Sequence, residues 1–300
     1  MIVSASYRSD IPAFYGEWFL NRLEAGFCRV ANPYGGAPYR VPLAGPQVDG
    51  FVFWTRNALP FQAALERLAG AGAPFVLQYT LTGYPRPLET SVVDAAAAVE
   101  TMRMLARRFG PRALVWRYDP VLLSSLTPPA WHLATFARLA KALTAGPGPA
   151  SDEVVLSFAQ IYAKTRNNLE RAAKRHGFTW QDPPVVEKQA LLAELAGIAR
   201  EHGLSASLCS QPELSSEGPL QPARCIDAAR LSDLAQRPIA ARTKGNRPGC
   251  LCSESRDIGA YDSCPHGCVY CYAVRSPTLA KRRYRAHDPE CEFLIAPTGR

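Results

Sequence analysis

The sequence predicts an α/β protein built on a complete or partial (β/α) barrel, with a cysteine-rich cluster-binding extension at the C-terminal end. Three observations predict it. Short apolar or β-branched runs alternate six times with helical patterns, an order that favours a parallel sheet with helices outside it. Polar residues recur where the runs end, as they do at the carboxyl mouth of a barrel. From Pro212 onward Pro, Gly, Ser and Arg rise, and seven of the nine cysteines fall there. Periodicity alone does not show closure, so a doubly wound open sheet is the alternative.

The predicted strands are Ile2–Ser6, Gly50–Trp54, Phe75–Thr80, Ala113–Tyr118, Glu153–Phe158 and Ser205–Cys209. Each is rich in Val, Ile, Leu or aromatic residues, which suit a pleated, buried surface. The predicted helices are Pro60–Ala71, Ser91–Phe109, Pro129–Leu143, Lys164–His176 and Val185–His202. Their apolar residues recur at helical spacing, and several stop at glycine. Residues 1–211 therefore read as the barrel-like domain. Residues 212–300 read as an extension packed on it, held by metal ligation because it offers little regular structure of its own.

The strand ends supply the candidate pocket. Arg8 and Asp10 follow the first strand, Gln78 lies on the third, and Arg117 and Asp119 close the fourth. Arg8, Asp10, Arg117 and Asp119 are the catalytic candidates, and Gln78 a candidate for holding a cofactor. Arg with Asp or Gln at several strand ends is what a lined pocket would present.

A chain of 300 residues with 47% hydrophobic content can bury a substantial core, which excludes disorder as the general state. It contains no apolar run approaching the roughly 20 residues of a membrane helix. The opening Met1-Ile2-Val3-Ser4-Ala5-Ser6 reads as a strand and not as a signal peptide, so a cytoplasmic location is expected. There, clustered cysteines hold metal more often than they form disulfides. The net charge of +8 is uneven: residues 237–300 hold 11 Lys/Arg against 6 Asp/Glu. Such a segment suits nucleic acid, a phosphorylated substrate or the charge of a thiolate-bound cluster.

The sharpest signal is Cys264-Pro265-His266-Gly267-Cys268-Val269-Tyr270-Cys271. Three thiolates in one loop with C-x3-C-x2-C spacing can wrap three corners of a [4Fe–4S] cluster and leave the fourth iron open. A structural zinc site is the alternative, with His266 available as a ligand. Cys209, Cys225, Cys250 and Cys252 form a second group whose count fits another [4Fe–4S] cluster or zinc equally well. Cys28 and Cys291 stand apart as structural thiols. His132, His176, His202 and His287 read as surface residues.

The loop spacing, with Tyr270 before its last cysteine, resembles the radical S-adenosylmethionine superfamily, and its sequence is similar to spore photoproduct lyase-like members. Ser4-Ala5-Ser6-Tyr7-Arg8-Ser9-Asp10, Phe53-Trp54-Thr55-Arg56-Asn57, Trp116-Arg117-Tyr118-Asp119-Pro120 and Ser255-Arg256-Asp257-Ile258-Gly259 resemble the bacterial DUF1848 family. The superfamily resemblance implies a cluster at Cys264, Cys268 and Cys271 that binds S-adenosyl-L-methionine, with Tyr270 at the cofactor. It also implies a 5′-deoxyadenosyl radical that abstracts hydrogen from a small-molecule or nucleic-acid substrate, and an electron donor such as flavodoxin or ferredoxin. In that superfamily the loop follows the first barrel strand, so a loop at the far end of this chain is expected to fold over the barrel mouth. The competing expectation is a zinc-stabilised nucleic-acid-binding protein without radical chemistry.

Overall fold

The structure is a computed structural model that describes residues 1–32, 35–215 and 220–297. Along the chain run β1 (Ile2–Ser4), β2 (Phe27–Val30), β3 (Tyr39–Pro42), β4 (Gly50–Thr55), β5 (Phe75–Thr80) and β6 (Leu114–Val121). They are followed by β7 (Leu123–Ser124), β8 (Glu153–Phe158), β9 (Trp180–Gln181), β10 (Ser205–Leu208), β11 (Gln221–Pro222) and β12 (Ser255–Asp257). The helices are α1 (Ile11–Phe14), α2 (Gly16–Ala25), α3 (Gln62–Gly70), α4 (Ala95–Phe109) and α5 (Pro129–Thr144). After them come α6 (Ala163–His176), α7 (Val185–Glu201), α8 (Ala228–Ala235) and α9 (Pro277–Arg285).

Eight strands form one sheet in the order β11-β10-β8-β6-β5-β4-β1-β12, and every ladder in it is parallel. Helices flank it because their apolar stripes need its outer face; Ala98, Met102, Leu105 and Ala106 of α4 are all buried at helical spacing. Two antiparallel pairs, β2-β3 and β7-β9, lie outside this sheet. Two of the eight strands come from beyond residue 211, so the extension is woven into the sheet.

The edges β11 and β12 form no ladder with each other among the described residues, so the complete barrel gives way to an open sheet. The sheet is nonetheless curled. Ser253 N donates to the Ile226 carbonyl at 2.8 Å, joining chain just outside the two opposite edges. Across a flat eight-stranded sheet those edges would stand about 34 Å apart. The six or so residues between this bond and the two strands span at most about 20 Å. Only curvature reconciles the two lengths. The reason for the open seam is also plain: β11 has two residues and β12 three, and the chain between them turns through α8 instead of pairing.

Inside the curl, Ile2, Val52, Val76, Val115 and Val155, one from each of five strands, pack with Cys209, Cys225, Cys252 and Leu231 of α8. Gly50 permits this plug: a β-carbon there would stand 2.9 Å from the Pro74 carbonyl oxygen and 3.1 Å from Leu231 Cδ2.

His132, expected at the surface, is fully buried. Its Nδ1 meets the Tyr118 hydroxyl at 2.8 Å and its Nε2 the Leu122 carbonyl at 3.1 Å. It sits on the inward stripe of α5 with Thr135, Phe136, Leu139, Ala140 and Leu143, so the helical spacing did carry its burial and a histidine's polar ring masked it. Burial lowers its pKa from 6.5 to about 4. The neutral form is thus favoured in the fold, so its contribution is present above 6.5 and is lost as pH falls through 4. His132→Gln, which cannot titrate, is expected to flatten the fall in urea stability between pH 7 and 4 by up to about 3 kcal/mol. Parallel pH profiles of the two proteins would contradict this.

Candidate metal centre

β12 runs parallel to β1, so the chain leaving Asp257 emerges at the carboxyl end of β1. It continues as the cysteine loop and then α9, a strand–loop–helix unit like the others of the sheet. Ile258 N donates to the Ser4 carbonyl at 2.9 Å and extends the ladder into the loop. The hydroxyls of Ser9 and Ser263 meet at 2.6 Å, and Tyr15 donates to the Ser263 carbonyl at 2.6 Å. On the other side, Val269 N donates to the Leu88 carbonyl at 3.0 Å and Ser91 N to the His266 carbonyl at 2.9 Å. The loop is thereby wedged between the end of β1 and the segment after β5. Gly267, with φ of 73°, sits where a β-carbon would come within 2.1 Å of Thr90 Oγ1. A side chain there would be strained by the positive φ and would force Thr90 to turn away.

Cys264, Cys268 and Cys271 are each half-buried and unpaired as disulfides. Burial pushes all three thiols up, Cys268 to about 12, while the Arg56 guanidinium pulls Cys268 and Cys271 the other way. A buried thiol with a cation beside it is held neutral until something positive replaces its proton. Arg56 is itself buried, paired with Glu89 at 2.7 Å. Thr82 donates to Glu89 at 2.7 Å, and Tyr270 donates to the same carboxylate while accepting from Arg56. Tyr270 thus anchors the loop through its hydroxyl. Among the described residues, no group of three or more His, Cys, Asp or Glu is arranged to hold a metal ion. A cubane spreads its corner irons more widely than one ion, so its ligand sulfurs need not converge on a point.

The other sequence candidates divide. Arg8 is bound to Asp257, with Nε–Oδ1 at 2.9 Å and Nη2–Oδ1 at 2.8 Å. Asp10 caps α1 at Ala13 N (3.0 Å) and accepts from Arg56 N (2.8 Å). His266 Nε2 also meets Asp10 at 2.7 Å. Both candidates therefore help to position the loop. Gln78, the candidate for holding a cofactor, lies at the second thiol group: it donates to the Cys225 carbonyl at 2.8 Å and accepts from Arg117 at 3.2 Å. Arg117 also pairs with Asp119, which in turn accepts from Ser157.

The second group is brought together. Cys209 and Cys225 sulfurs lie 3.5 Å apart, and Cys252 interacts with both Cys225 and Cys250. Arg117 donates to the Cys225 sulfur at 2.9 Å and Arg247 to that of Cys209 at 3.5 Å. The hydrogen bond from Cys252 drops the Cys250 thiol to about 5, whereas Cys252 itself rises to about 11 despite its bond to Cys225. Glu89, Asp257 and Arg247 were not predicted. Each sits in loop or tail sequence whose pattern carries no sign of burial.

Charge gathers beside the first loop. α6 carries Lys164, Arg166, Arg171, Lys174 and Arg175 against one Glu, and α9 carries Lys281, Arg282, Arg283 and Arg285 with no acid. α6 touches the loop through Leu169 and Ala172, which pack with Cys268, Val269 and Tyr270. Asn168 donates to the Val274 carbonyl at 3.0 Å. From α9, Arg283 donates to the Tyr261 carbonyl at 2.9 Å.

Fold and site together define a parallel α/β protein whose last strand–loop–helix unit delivers three thiols to the carboxyl end of its sheet. Residues 2–273 match the family described as a domain of unknown function, DUF1848, and the chain belongs to it. No curated protein and no solved structure matches the chain. No helix among the described residues is long and apolar enough to cross a membrane.

Proposed function

We propose that the chain is an iron–sulfur enzyme of the radical S-adenosylmethionine type, with Cys264, Cys268 and Cys271 as ligands to a [4Fe–4S] cluster. The observation that carries this is the β12–loop–α9 unit. It sets a C-x3-C-x2-C loop at the carboxyl end of a strand in a curled parallel sheet, beside β1. Sequence order had put the loop at the far end of the chain; pairing of β12 with β1 supports the same spatial arrangement as a loop after a first strand. When bound, such a cluster would hold S-adenosyl-L-methionine at its open iron and supply the electron that cleaves the sulfonium, giving a 5′-deoxyadenosyl radical.

The chain's own residues have definable tasks in this reading. Arg56 offsets thiolate charge, and Glu89 and Tyr270 hold Arg56 and the loop in register. Gly267 keeps the turn tight against Thr90, and Asp10 with His266 fixes the loop to the first helix. Arg117, Asp119 and Ser157, joined through the Asp119 carboxylate at the carboxyl ends of β6 and β8, are the candidates for substrate contact. The basic faces of α6 and α9 suit an acidic electron donor such as flavodoxin or ferredoxin, or a nucleic-acid substrate.

Protein purified without oxygen is expected to be brown and to hold about four irons with matching sulfide for this centre. Reduced and mixed with S-adenosylmethionine, it should release 5′-deoxyadenosine, and Cys271→Ala should release none. Zinc without iron or sulfide would sink the reading and favour the zinc-stabilised nucleic-acid-binding protein.

A further inference from the structure

We infer that Cys209, Cys225, Cys250 and Cys252 form a second, separate metal centre that binds one zinc-class ion and staples the open seam of the sheet. The four thiols come from three stretches of chain brought side by side by the β10–β11 ladder and the bond from Ser253 N to the Ile226 carbonyl. Cys209 directly follows β10, Cys225 lies three residues beyond β11, and Cys250 and Cys252 precede β12. These are the strands flanking the gap in the sheet, where among the described residues no ladder joins the two edges. Across the gap the Ser253 N to Ile226 carbonyl bond is joined by Ala228 N to Ser253 Oγ at 3.2 Å, so the two edges are held by loop contacts and not by a ladder.

The surroundings are built for sulfur anions. Cys209, Cys225 and Cys252 are buried, and each sulfur accepts an N–H: from Arg247 at 3.5 Å, from Arg117 at 2.9 Å and from Ile226 N at 3.4 Å. Donors aimed at ligand sulfurs are what a tetrathiolate site needs around it. Four thiolates carry −4, and Arg247 together with an Arg117 already paired with Asp119 offsets only part of that. A bound dication would halve it and leave the remainder to the two arginines.

Spacing decides between one ion and a cluster. Thiolates about 2.3 Å from a tetrahedral zinc stand roughly 3.8 Å from each other. The Cys209 and Cys225 sulfurs, 3.5 Å apart, match that edge and crowd any cubane, whose ligands are set wider. The four sulfurs do not converge on one point, and Cys250, half-buried and bonded to Cys252, is the ligand whose shift on binding would complete the tetrahedron.

The test separates this centre from the loop cluster. Full-length protein carrying Cys264→Ser, Cys268→Ser and Cys271→Ser, purified without oxygen from medium holding iron and zinc, should retain about one zinc per chain and no sulfide. Adding Cys225→Ser and Cys252→Ser should remove the zinc. Cobalt(II) loaded into the first variant should show tetrahedral bands with strong thiolate charge transfer. Should the variants not fold, wild-type protein titrated with an organomercurial should release zinc as its melting temperature falls. Iron and sulfide held by the loop variant, zinc surviving the added substitutions, or zinc-free wild-type protein would each overturn the inference. Wild type with zinc but neither iron nor sulfide removes the radical reading and leaves this centre standing; iron and sulfide without zinc does the reverse.

Discussion

Replacing Asp257 by alanine is expected to destabilise the protein by about 3–5 kcal/mol, a large share of the roughly 5–15 kcal/mol that holds a domain folded. The carboxylate accepts from Ser4 Oγ at 2.7 Å, Ser6 Oγ at 2.8 Å, Tyr7 N at 3.1 Å, Arg8 Nε at 2.9 Å and Gly259 N at 2.9 Å. Arg8 and Asp257 side chains are each only 5% exposed. An arginine does not neutralise itself by losing a proton, so the substitution strands a buried cation together with unmet donors. These groups sit on the β1–β12 ladder, so the damage falls where the cysteine loop leaves the sheet. Urea melts should show the loss, and limited proteolysis should cut the chain after residue 257 first. Asp233→Ala, at the exposed Arg112–Asp233 pair, is the control and should cost less than about 1 kcal/mol. The double variant Arg8→Met with Asp257→Leu should regain the part of the loss due to the stranded cation, while the donors from Ser4, Ser6, Tyr7 and Gly259 stay unmet. A fall below about 1 kcal/mol for Asp257→Ala would show that the pair does not carry the β1–β12 junction.

That pair also marks where sequence reasoning stops. The six long parallel strands and five long helices were legible because apolar runs and helical spacing survive in one dimension. β12 was not: Ser255-Arg256-Asp257 has no apolar residue, and its burial is conferred entirely by β1 and the loop that follows. β11, two residues long, left no trace for the same reason. The four thiols of the second group were legible as a set, since soft ligands crowd a short stretch of chain. That Gln78 would meet Cys225 and Arg117 was not legible, because strand position shows which end of a sheet a residue faces but not which tail segment folds over it. Glu89 lies in a loop of Pro, Arg and Thr, and only the packing of Cys268 and Tyr270 above it makes it a buried carboxylate.

Arg56 and Glu89 yield a prediction whose sign depends on what the loop holds. Their side chains are 10% and 4% exposed, and they share Tyr270. Consider first the metal-free protein, in which burial keeps the loop thiols neutral. Arg56→Met leaves Glu89 with hydrogen bonds from Thr82 and Tyr270, and the carboxyl can also take up a proton to shed its charge. Glu89→Gln leaves a guanidinium with no such escape. The glutamate variant should therefore be the less stable, by about 3 kcal/mol or more relative to wild type. An anionic thiolate-bound cluster reverses the order. Arg56 would then face the thiolates and be compensated by them, so Glu89→Gln should be tolerated. Arg56→Met would instead set Glu89 against the thiolates with no cation between, and should lose iron fastest. Urea melts of chelated protein and iron retention after anaerobic reconstitution read the two orders separately. If the glutamate variant is the worse in both states, the charge beside Cys268 is not that of a cluster, and Arg56 is a structural partner of Glu89 alone.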